Sequence, residues 1–524
     1  MISRISKLKN FIPLVIIISL YLLIRIPLAT NPLQHDEVYN TLLYLHSSPL
    51  LNSNAYTLAT DSKWGWGQDW KKQAAIHPPL LSAFYYFWIR IFGDSEISLH
   101  LPAILIGLLG AILIYLIGIS IFDQDVGLWA TLALIFSLSH IGYSTQAVPA
   151  IFESSIILAS ILLFIKFITN QTRKYFILLT MLNVIGISLF YHYLFYLCLQ
   201  TVILWWHKKI GRAYAATVIT TVSLFMLFFI YCALNYLYSH PYWLQINPKE
   251  VFKIINLLPY YDNTEIYRTP TQFTIIIFSL FLFGSLRIIF NFKKTKSPKD
   301  TLKLILVLIF VLPFLPYLLL SAMHIRFGNP RNFFYLTPIY FLIVFSALKN
   351  SLFSKKMFSA ASLFIITFLF ILGVRSSWNF WNQAYVEREV IKHSADIEAD
   401  IILVSYPHKS GWPFEYYANR FALPAKIYPW KRNVNFSTAR YPCNDTAGEI
   451  VFFNFFGKIA AAGTLAIIDH NSVSIQDKFT LGNKIFERKN RLSYQVYHGP
   501  CFFLQRILLR PSLISIFVFK ETPA

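Results

Sequence analysis

The sequence predicts a polytopic α-helical membrane protein with about eleven transmembrane helices, followed by a small extracytoplasmic α/β domain. Three features of the composition predict this fold class: 56% of the 524 residues are hydrophobic, 17% are aromatic and only 14% are charged. A water-soluble domain carries roughly 25% charged residues, so this chain cannot cover a surface that faces water on every side. Aromatic residues are common where a helix crosses the membrane interface.

Apolar runs recur through residues 1–374, which we assign to one transmembrane domain. A span needs about twenty apolar residues, and the run 175–206 is long enough that we divide it at Tyr191. The first run follows Arg4 and has no small-residue cleavage site after it, so we interpret it as a retained span rather than a signal peptide. The predicted spans are 11–30, 98–121, 127–145, 152–168, 175–190, 191–206, 213–238, 271–290, 304–320, 333–348 and 357–373.

Lys and Arg residues set the orientation of these spans. With the N-terminus inside, the inner segments carry sixteen of them, whereas the outer loops before residue 375 carry nine, although those loops are more than twice as long in sum. The positive-inside rule therefore predicts a multi-pass protein of the cell (inner) membrane, with its C-terminal region extracytoplasmic. Much of the net charge of +21 then lies in cytoplasmic loops. We predict no nucleic-acid partner, because no soluble segment carries a basic stripe with interleaved aromatic residues.

Three outer regions are large: 31–97, 239–270 and 375–524. The first contains the apolar stretch Pro78–Phe92, which is too short for a span and predicts an interfacial helix. The third is more polar and contains short β-like runs, which predict the α/β domain. These runs are Ile401–Ser405, Ile450–Phe453, Thr464–Ile468 and Ser515–Phe519, with a helical stretch around Pro413–Phe421. Cys443 and Cys501 form a disulfide there or remain two free thiols; the sequence leaves both open.

An acidic pair, Asp36 and Glu37, follows the first span directly, in the segment NPLQHDEVYN. Charges beside lipid are expensive, so their positions are informative. Asp36 as the N-cap of a juxtamembrane helix is one interpretation, and a catalytic carboxylate is the other. Further along the same loop, His77 precedes two prolines that end one element and begin another. A lone His at such a place is usually an ordinary loop residue.

A late basic group, His324, Arg326 and Arg331, stands at the outer end of a predicted span, where basic residues are otherwise sparse. The arginines either anchor the helix to lipid headgroups or bind an anion, since a guanidinium matches phosphate geometry. Taken together with the acidic pair and His77, all on the same predicted face, they predict one site with a carboxylate base and cationic groups for phosphate. No Cys or His metal-ligand spacing occurs.

The motifs share their order with a known family. DE after the first span, then HPPL, FGDSE, LPA, IGYSTQA and a late RNFFYLTP resemble the GT-C superfamily of glycosyltransferases, specifically the bacterial protein-mannosyltransferase-like branch that includes aminoarabinose transferases of lipid A. The resemblance covers roughly residues 10–350. The chain departs from it at Ile76, at His100 before Leu101 and at Val148 after Ala147, where relatives often carry other residues.

The resemblance implies a GT-C-like catalytic domain that transfers a sugar from a polyprenyl-phosphate donor, with inversion, to a lipid, glycan or protein of the cell envelope. It implies that Asp36 is the base and Glu37 the second acidic residue. His77 and Arg331 match positions near the donor phosphate, and we group Arg326 and His324 with them. A divalent metal cofactor stays open. The alternatives are a transporter or flippase of lipid-linked glycans, which would place ionisable groups near the bilayer midplane, and a polytopic scaffold or receptor.

Overall fold

The computed structural model divides the chain into two units, one built of helices and one of strands. The structure describes residues 2–30, 79–170, 172–189, 193–206, 271–295, 297–312, 334–351 and 354–371 of the helical unit, and, of the second unit, residue 33 and the strand residues 401–405, 426–430, 464–469, 478–481, 484–496 and 512–522.

The helical unit begins with α1 (Ile2–Arg25), which passes into a 3₁₀ turn (Ile26–Thr30). The helices that follow are α2 (Pro79–Phe92), α3 (Glu96–Ile121), α4 (Gln124–Phe136), α5 (Leu138–Tyr143), α6 (Pro149–Asn170), α7 (Arg173–Leu189), α8 (Tyr193–Trp206), α9 (Thr271–Thr295), α10 (Pro298–Val311), α11 (Thr337–Asn350) and α12 (355–371).

Within the described residues, four helical segments are long and apolar enough to cross a membrane: Ile12–Thr30, Glu96–Ile121, Pro149–Asn170 and Ile275–Thr295. Each coincides with a predicted span, and together they make this a multi-pass membrane protein. The interfacial stretch forms α2, which has 14 residues and is not among the four. Two helices, α7 and α8, occupy the long run that we divided at Tyr191. The predicted span 213–238 lies outside the described residues, so the count of eleven stays a prediction.

The structure corrects one predicted span, 127–145, which is not a single helix. α4 ends at Phe136, and Ser137 adopts an extended backbone with ψ 138° before α5 begins. The Ser137 side chain accepts a hydrogen bond from the His140 N–H and donates one to the Leu134 carbonyl, at 3.4 and 2.8 Å. Serine therefore ends one helix and caps the next, because its hydroxyl competes with the helical backbone for hydrogen bonds.

One end of the bundle, the Lys349 end, is held by ionic and backbone contacts. The Lys349 ammonium lies 2.8 Å from an Asp123 carboxylate oxygen and 2.6 Å from one of Asp125, in the first turn of α4. Asp123 also caps α4, since its carboxylate accepts the Val126 N–H. Nearby, the Lys299 ammonium donates to the Phe122 carbonyl at 3.0 Å. The end of α3 and the starts of α4 and α10 therefore meet at the last turn of α11.

Deeper in the bundle, four polar side chains join α6, α7 and α8. The Tyr193 hydroxyl donates to Asn183 Oδ1 at 2.6 Å, and Asn183 Nδ2 donates to Gln200 Oε1 at 2.9 Å. Gln200 Nε2 and the Tyr193 hydroxyl each lie 2.9 Å from Ser160 Oγ. All four residues are buried. Because lipid offers no hydrogen-bond partners, such a network favours the helices staying together.

The second unit is a six-stranded sheet in the order β2-β1-β3-β6-β5-β4. β1, β2 and β3 are parallel, whereas β6, β5 and β4 add as antiparallel strands, with a bulge between Arg488 and Asn490. The predicted runs Ile450–Phe453 and Pro413–Phe421, and both Cys443 and Cys501, lie outside the described residues. The strands are β1 (Ile401–Ser405), β2 (Lys426–Trp430), β3 (Thr464–Asp469), β4 (Lys478–Leu481), β5 (Lys484–Val496) and β6 (Ser512–Thr522).

Candidate functional site

All six residues of the predicted site lie outside the described part of the chain: Asp36, Glu37, His77, His324, Arg326 and Arg331. The structure does describe residues next to each motif. Leu33 precedes the acidic pair, α2 begins two residues after His77, and Phe334 follows Arg331 by three residues. α2 and Phe334 lie at the end of the bundle opposite Lys349, which we call the Arg25 end.

Arg25 is the last residue of α1, and its side chain is completely buried. Its Nε donates to Ser144 Oγ at 2.9 Å, and its Nη2 donates to the Ile135 carbonyl at 2.6 Å. The same Nη2 lies 3.1 Å from Nδ1 of His140. Since a guanidinium can only donate, His140 Nδ1 is the acceptor and carries no proton. The guanidinium carbon also stands 4.9 Å from the centre of the Tyr21 ring.

The break between α4 and α5 creates the acceptors that Arg25 uses. The last carbonyls of a helix have no partner within it, so ending α4 at Phe136 leaves the Ile135 carbonyl available. Ser144 is the C-cap residue of α5, and His140 lies inside that helix. Gly107 of α3 provides the space, because a Cβ there would lie 2.4 Å from the Tyr21 hydroxyl and 2.8 Å from Ser144 Cβ. Arg25, the last residue of α1, therefore contacts the motif IGYSTQA through Ser144.

A second contact fixes the chain just beyond α1. Nδ1 of His100, in the first turns of α3, lies 2.9 Å from the Ala29 carbonyl. A carbonyl only accepts, so His100 Nδ1 carries the proton in this bond. Ser95 caps α3 by accepting the Ser98 N–H at 3.2 Å. The 3₁₀ turn that leads towards the acidic pair is thus attached to the start of α3.

Aromatic contacts bring the other two motifs to the same end. The Phe334 ring lies 4.6 Å from that of Tyr143 and 6.2 Å from that of His140, centre to centre. α2 packs through Tyr85, whose hydroxyl donates to the Leu99 carbonyl at 3.4 Å and whose ring is 6.0 Å from that of Phe152. The described residues that follow His77 and Arg331 therefore pack at the ends of α3, α5 and α6.

A buried acidic residue, Glu153, lies in this region beside Phe152 in the first turns of α6. It is 5% exposed, and its Oε1 has no hydrogen-bond partner among the described residues. We did not select Glu153, Arg25 or His140 from the sequence. A charged residue inside an apolar run is the pattern that would have singled out Glu153. Among the described residues, no three His, Cys, Asp or Glu side chains meet that could hold a metal ion.

Residues 76–236 match the family model described as dolichyl-phosphate-mannose-protein mannosyltransferase. This match confirms the resemblance that the sequence motifs indicated. No curated protein matches the chain.

Two kinds of solved structure are similar in fold. ArnT from Cupriavidus metallidurans bound to undecaprenyl phosphate has a TM-score of 0.48 at 9% identity, covering 96% of this chain and 97% of its own. The Archaeoglobus fulgidus oligosaccharyltransferase AglB, in complex with an inhibitory peptide and a dolichol-phosphate, has a TM-score of 0.47 at 11% identity, covering 88% of this chain and 69% of its own. With TM-scores below 0.5, neither protein's ligand or activity is transferred to this chain.

Proposed function

We propose that this chain, which resembles the protein-mannosyltransferase-like branch of the GT-C glycosyltransferases, moves a sugar from a polyprenyl-phosphate donor to a cell-envelope acceptor. The observation that carries the proposal is the family match over residues 76–236. That range contains His77, α2, the α4–α5 break and Glu153. The acceptor is a lipid, a glycan or a protein, and the reaction takes place with inversion at the extracytoplasmic face.

The proposed reaction needs two kinds of group. Asp36 takes the proton from the acceptor hydroxyl, or from an amine or amide, as the acceptor atom bonds to the sugar C1. The bond from C1 to the phosphate oxygen breaks, and the departing polyprenyl phosphate keeps the electron pair. The transition state resembles an oxocarbenium ion, as in glycoside chemistry generally. Because phosphate is already a good leaving group, no general acid is required.

The cationic residues stabilise the charge that gathers on the departing phosphate. We assign this role to Arg331 and His77, with Arg326 and His324 beside them and Glu37 supporting the acidic pair. A guanidinium offers two parallel N–H donors to one phosphate. Exclusion of water at the lipid boundary strengthens these interactions, since the local dielectric constant is low.

The contacts at the Arg25 end support bringing these residues together. Consecutive Cα atoms are about 3.8 Å apart, so three residues reach at most about 11 Å. Arg331 is tied to Phe334 by that length of chain, and Phe334 packs on Tyr143. Asp36 follows Ala29, whose carbonyl contacts His100, by seven residues along the chain.

The deciding experiment is a transfer assay with the purified full-length protein. Polyprenyl-phosphate sugars labelled in the sugar are offered together with envelope lipids, glycans and peptides as acceptors, and labelled product is measured. We expect label to move to one acceptor class. If vesicles instead show passage of an intact lipid-linked glycan across the bilayer, the protein is a transporter and the proposal is wrong. Mass analysis of envelope glycans from cells with and without the protein then identifies the acceptor.

A further inference from the structure

Arg25 is a fully buried cation without an acidic partner in the described part of the chain. Among the described residues, no carboxylate lies within ion-pair distance of its guanidinium, and its Nη1 has no hydrogen-bond partner. Removing a cation from water costs several kcal/mol even after the surrounding protein relaxes. Hydrogen bonds to neutral acceptors compensate only part of this desolvation free energy. Fold stability alone therefore does not explain this arginine, because an apolar side chain of similar volume would cost less.

The contacts of Arg25 join two segments that lie next to predicted site residues in the sequence. Arg25 is the last residue of α1, and the chain continues from it past Ala29, whose carbonyl contacts His100, towards the acidic pair. Through its side chain it holds both sides of the Ser137 break, because it binds the Ile135 carbonyl of α4 as well as Ser144 at the end of α5. α5 in turn packs against Phe334, three residues after Arg331, through Tyr143 and His140.

We propose that Arg25 is a positioning residue of the transfer reaction, which fixes the α4–α5 break and thereby the packing of α1 and α5 beside Phe334. The inference rests on the proposed function. Arg25 does not bind the donor itself, since its side chain is wholly enclosed by Tyr21, Ser144, His140 and the Ile135 carbonyl. It acts on catalysis by geometry, and a misplacement of about 1 Å between reacting groups can lower a rate by about 100-fold.

The test compares Arg25→Met with wild type in the labelled transfer assay and in thermal unfolding in detergent. We expect kcat to fall by about 10- to 100-fold, the KM for the donor to stay within about twofold of wild type, and the unfolding midpoint not to fall. This combination separates positioning from a structural role, in which activity would follow the midpoint. The matched control is Arg287→Met, because Arg287 donates to the Asn350 carbonyl at the opposite end of the bundle; it should keep the wild-type kcat.

If Arg25→Met does not fold, two milder variants test the positioning role of Arg25. Arg25→Lys keeps the charge but cannot reach all the acceptors, and Ser144→Ala removes the acceptor of Nε alone. Both should lower kcat less than Arg25→Met and keep the wild-type midpoint. Because the two groups act as one unit, adding Ser144→Ala to Arg25→Met should cause little further loss.

The outcomes separate the two proposals. Absence of transfer by the wild-type protein overturns the proposed function, whereas an active wild type with unchanged kcat in Arg25→Met, or in both milder variants, overturns the positioning role alone. A raised donor KM with unchanged kcat also overturns it, because Arg25 would then contribute to binding. A loss of kcat in proportion to a lowered midpoint makes Arg25 a structural residue.

Discussion

At the level of single residues, the helical unit holds ionisable side chains where lipid and protein surround them. Arg25 and Glu153 are both buried inside apolar helices. From the sequence, Arg25 stands at the end of the first apolar run, where an arginine ordinarily extends to the interface. Only its contacts with Ser144 and Ile135, more than a hundred residues away, distinguish a buried arginine from an interfacial one. Such long-range contacts leave no pattern in a single sequence.

Asp36→Asn tests the proposed base. The amide has nearly the shape of the carboxylate but cannot take a proton, so transfer should be lost while the protein stays folded. Loss of general base catalysis alone typically lowers a rate by about 10²–10⁴-fold. Labelled transfer and the unfolding midpoint are measured side by side, and activity near the wild-type level would remove Asp36 from the mechanism.

Glu153→Gln tests whether the buried acidic residue of α6 serves the site. Because Oε1 of Glu153 has no hydrogen-bond partner among the residues that the structure describes, the uncharged amide should not lower the unfolding midpoint. If the carboxyl group takes part in the reaction, kcat should fall by at least about tenfold, the lower part of the range for one acid–base group. A lowered midpoint with full activity would instead make Glu153 a structural residue.

At the level of elements, the apolar pattern predicts helices well and their interruptions poorly. α3, α6 and α9 follow the predicted spans 98–121, 152–168 and 271–290 within a few residues. The run 127–145 gave no sign of its break, since one serine in a helix is common and its hydroxyl usually bonds within the same helix. Ser137 breaks this helix because Arg25 and the start of α5 take up the hydrogen-bonding groups that the break leaves open.

Tyr193→Phe tests the polar network of α6, α7 and α8. The change removes the hydroxyl that contacts Asn183 and Ser160, so we expect the free energy of unfolding to fall by about 1–2 kcal/mol, given about 0.6–1.7 kcal/mol for an interhelical hydrogen bond in a membrane. The control is Ser362→Ala in α12, because the buried Ser362 hydroxyl has no hydrogen-bond partner within the described helices. That variant should be neutral or more stable. Equal destabilisation by both changes would contradict the role of the network.

The start of α10 should be sensitive to acid through Asp300. Hydrogen bonds from the Ser297 and Thr295 hydroxyls, at 2.6 Å each, lower the pKa of Asp300 from 3.8 to about 2. Since the pKa is lower in the folded state, this stabilisation is present above about pH 4 and is lost as the pH falls towards 2. The unfolding midpoints of wild type and Asp300→Asn should therefore differ at neutral pH and converge near pH 2. Midpoints with a constant difference across that range would show that Asp300 is not responsible.

At the level of the whole molecule, the helical unit has two chemically different ends. The Lys349 end carries ion pairs and lies where the positive-inside rule predicts the cytoplasm. The Arg25 end carries α2, which follows His77, and Phe334, which follows Arg331. Counts of Lys and Arg in the sequence predict which end faces the cytoplasm, but they could not supply the buried contacts that organise the Arg25 end.

Labelling of single cysteines tests this orientation. In a variant without the four native cysteines, Thr30→Cys at the Arg25 end should react with a membrane-impermeant maleimide in intact cells. Lys355→Cys, beyond the Lys349 end, should react only after the membrane is opened. Both side chains are exposed, so access to the reagent depends on the side of the membrane. The reverse labelling pattern would place Asp36 in the cytosol and would contradict an extracytoplasmic catalytic site.

The network between α6, α7 and α8 also bears on how the chain is synthesised and inserted. Helices enter the bilayer in the order in which they leave the ribosome, so α7 reaches lipid before Tyr193 and Gln200 of α8 have been made. During that interval Asn183 has one of its final partners at hand, Ser160 of α6. We therefore expect α6 to remain at the insertion machinery until α8 arrives, with the three helices released into the membrane as a group.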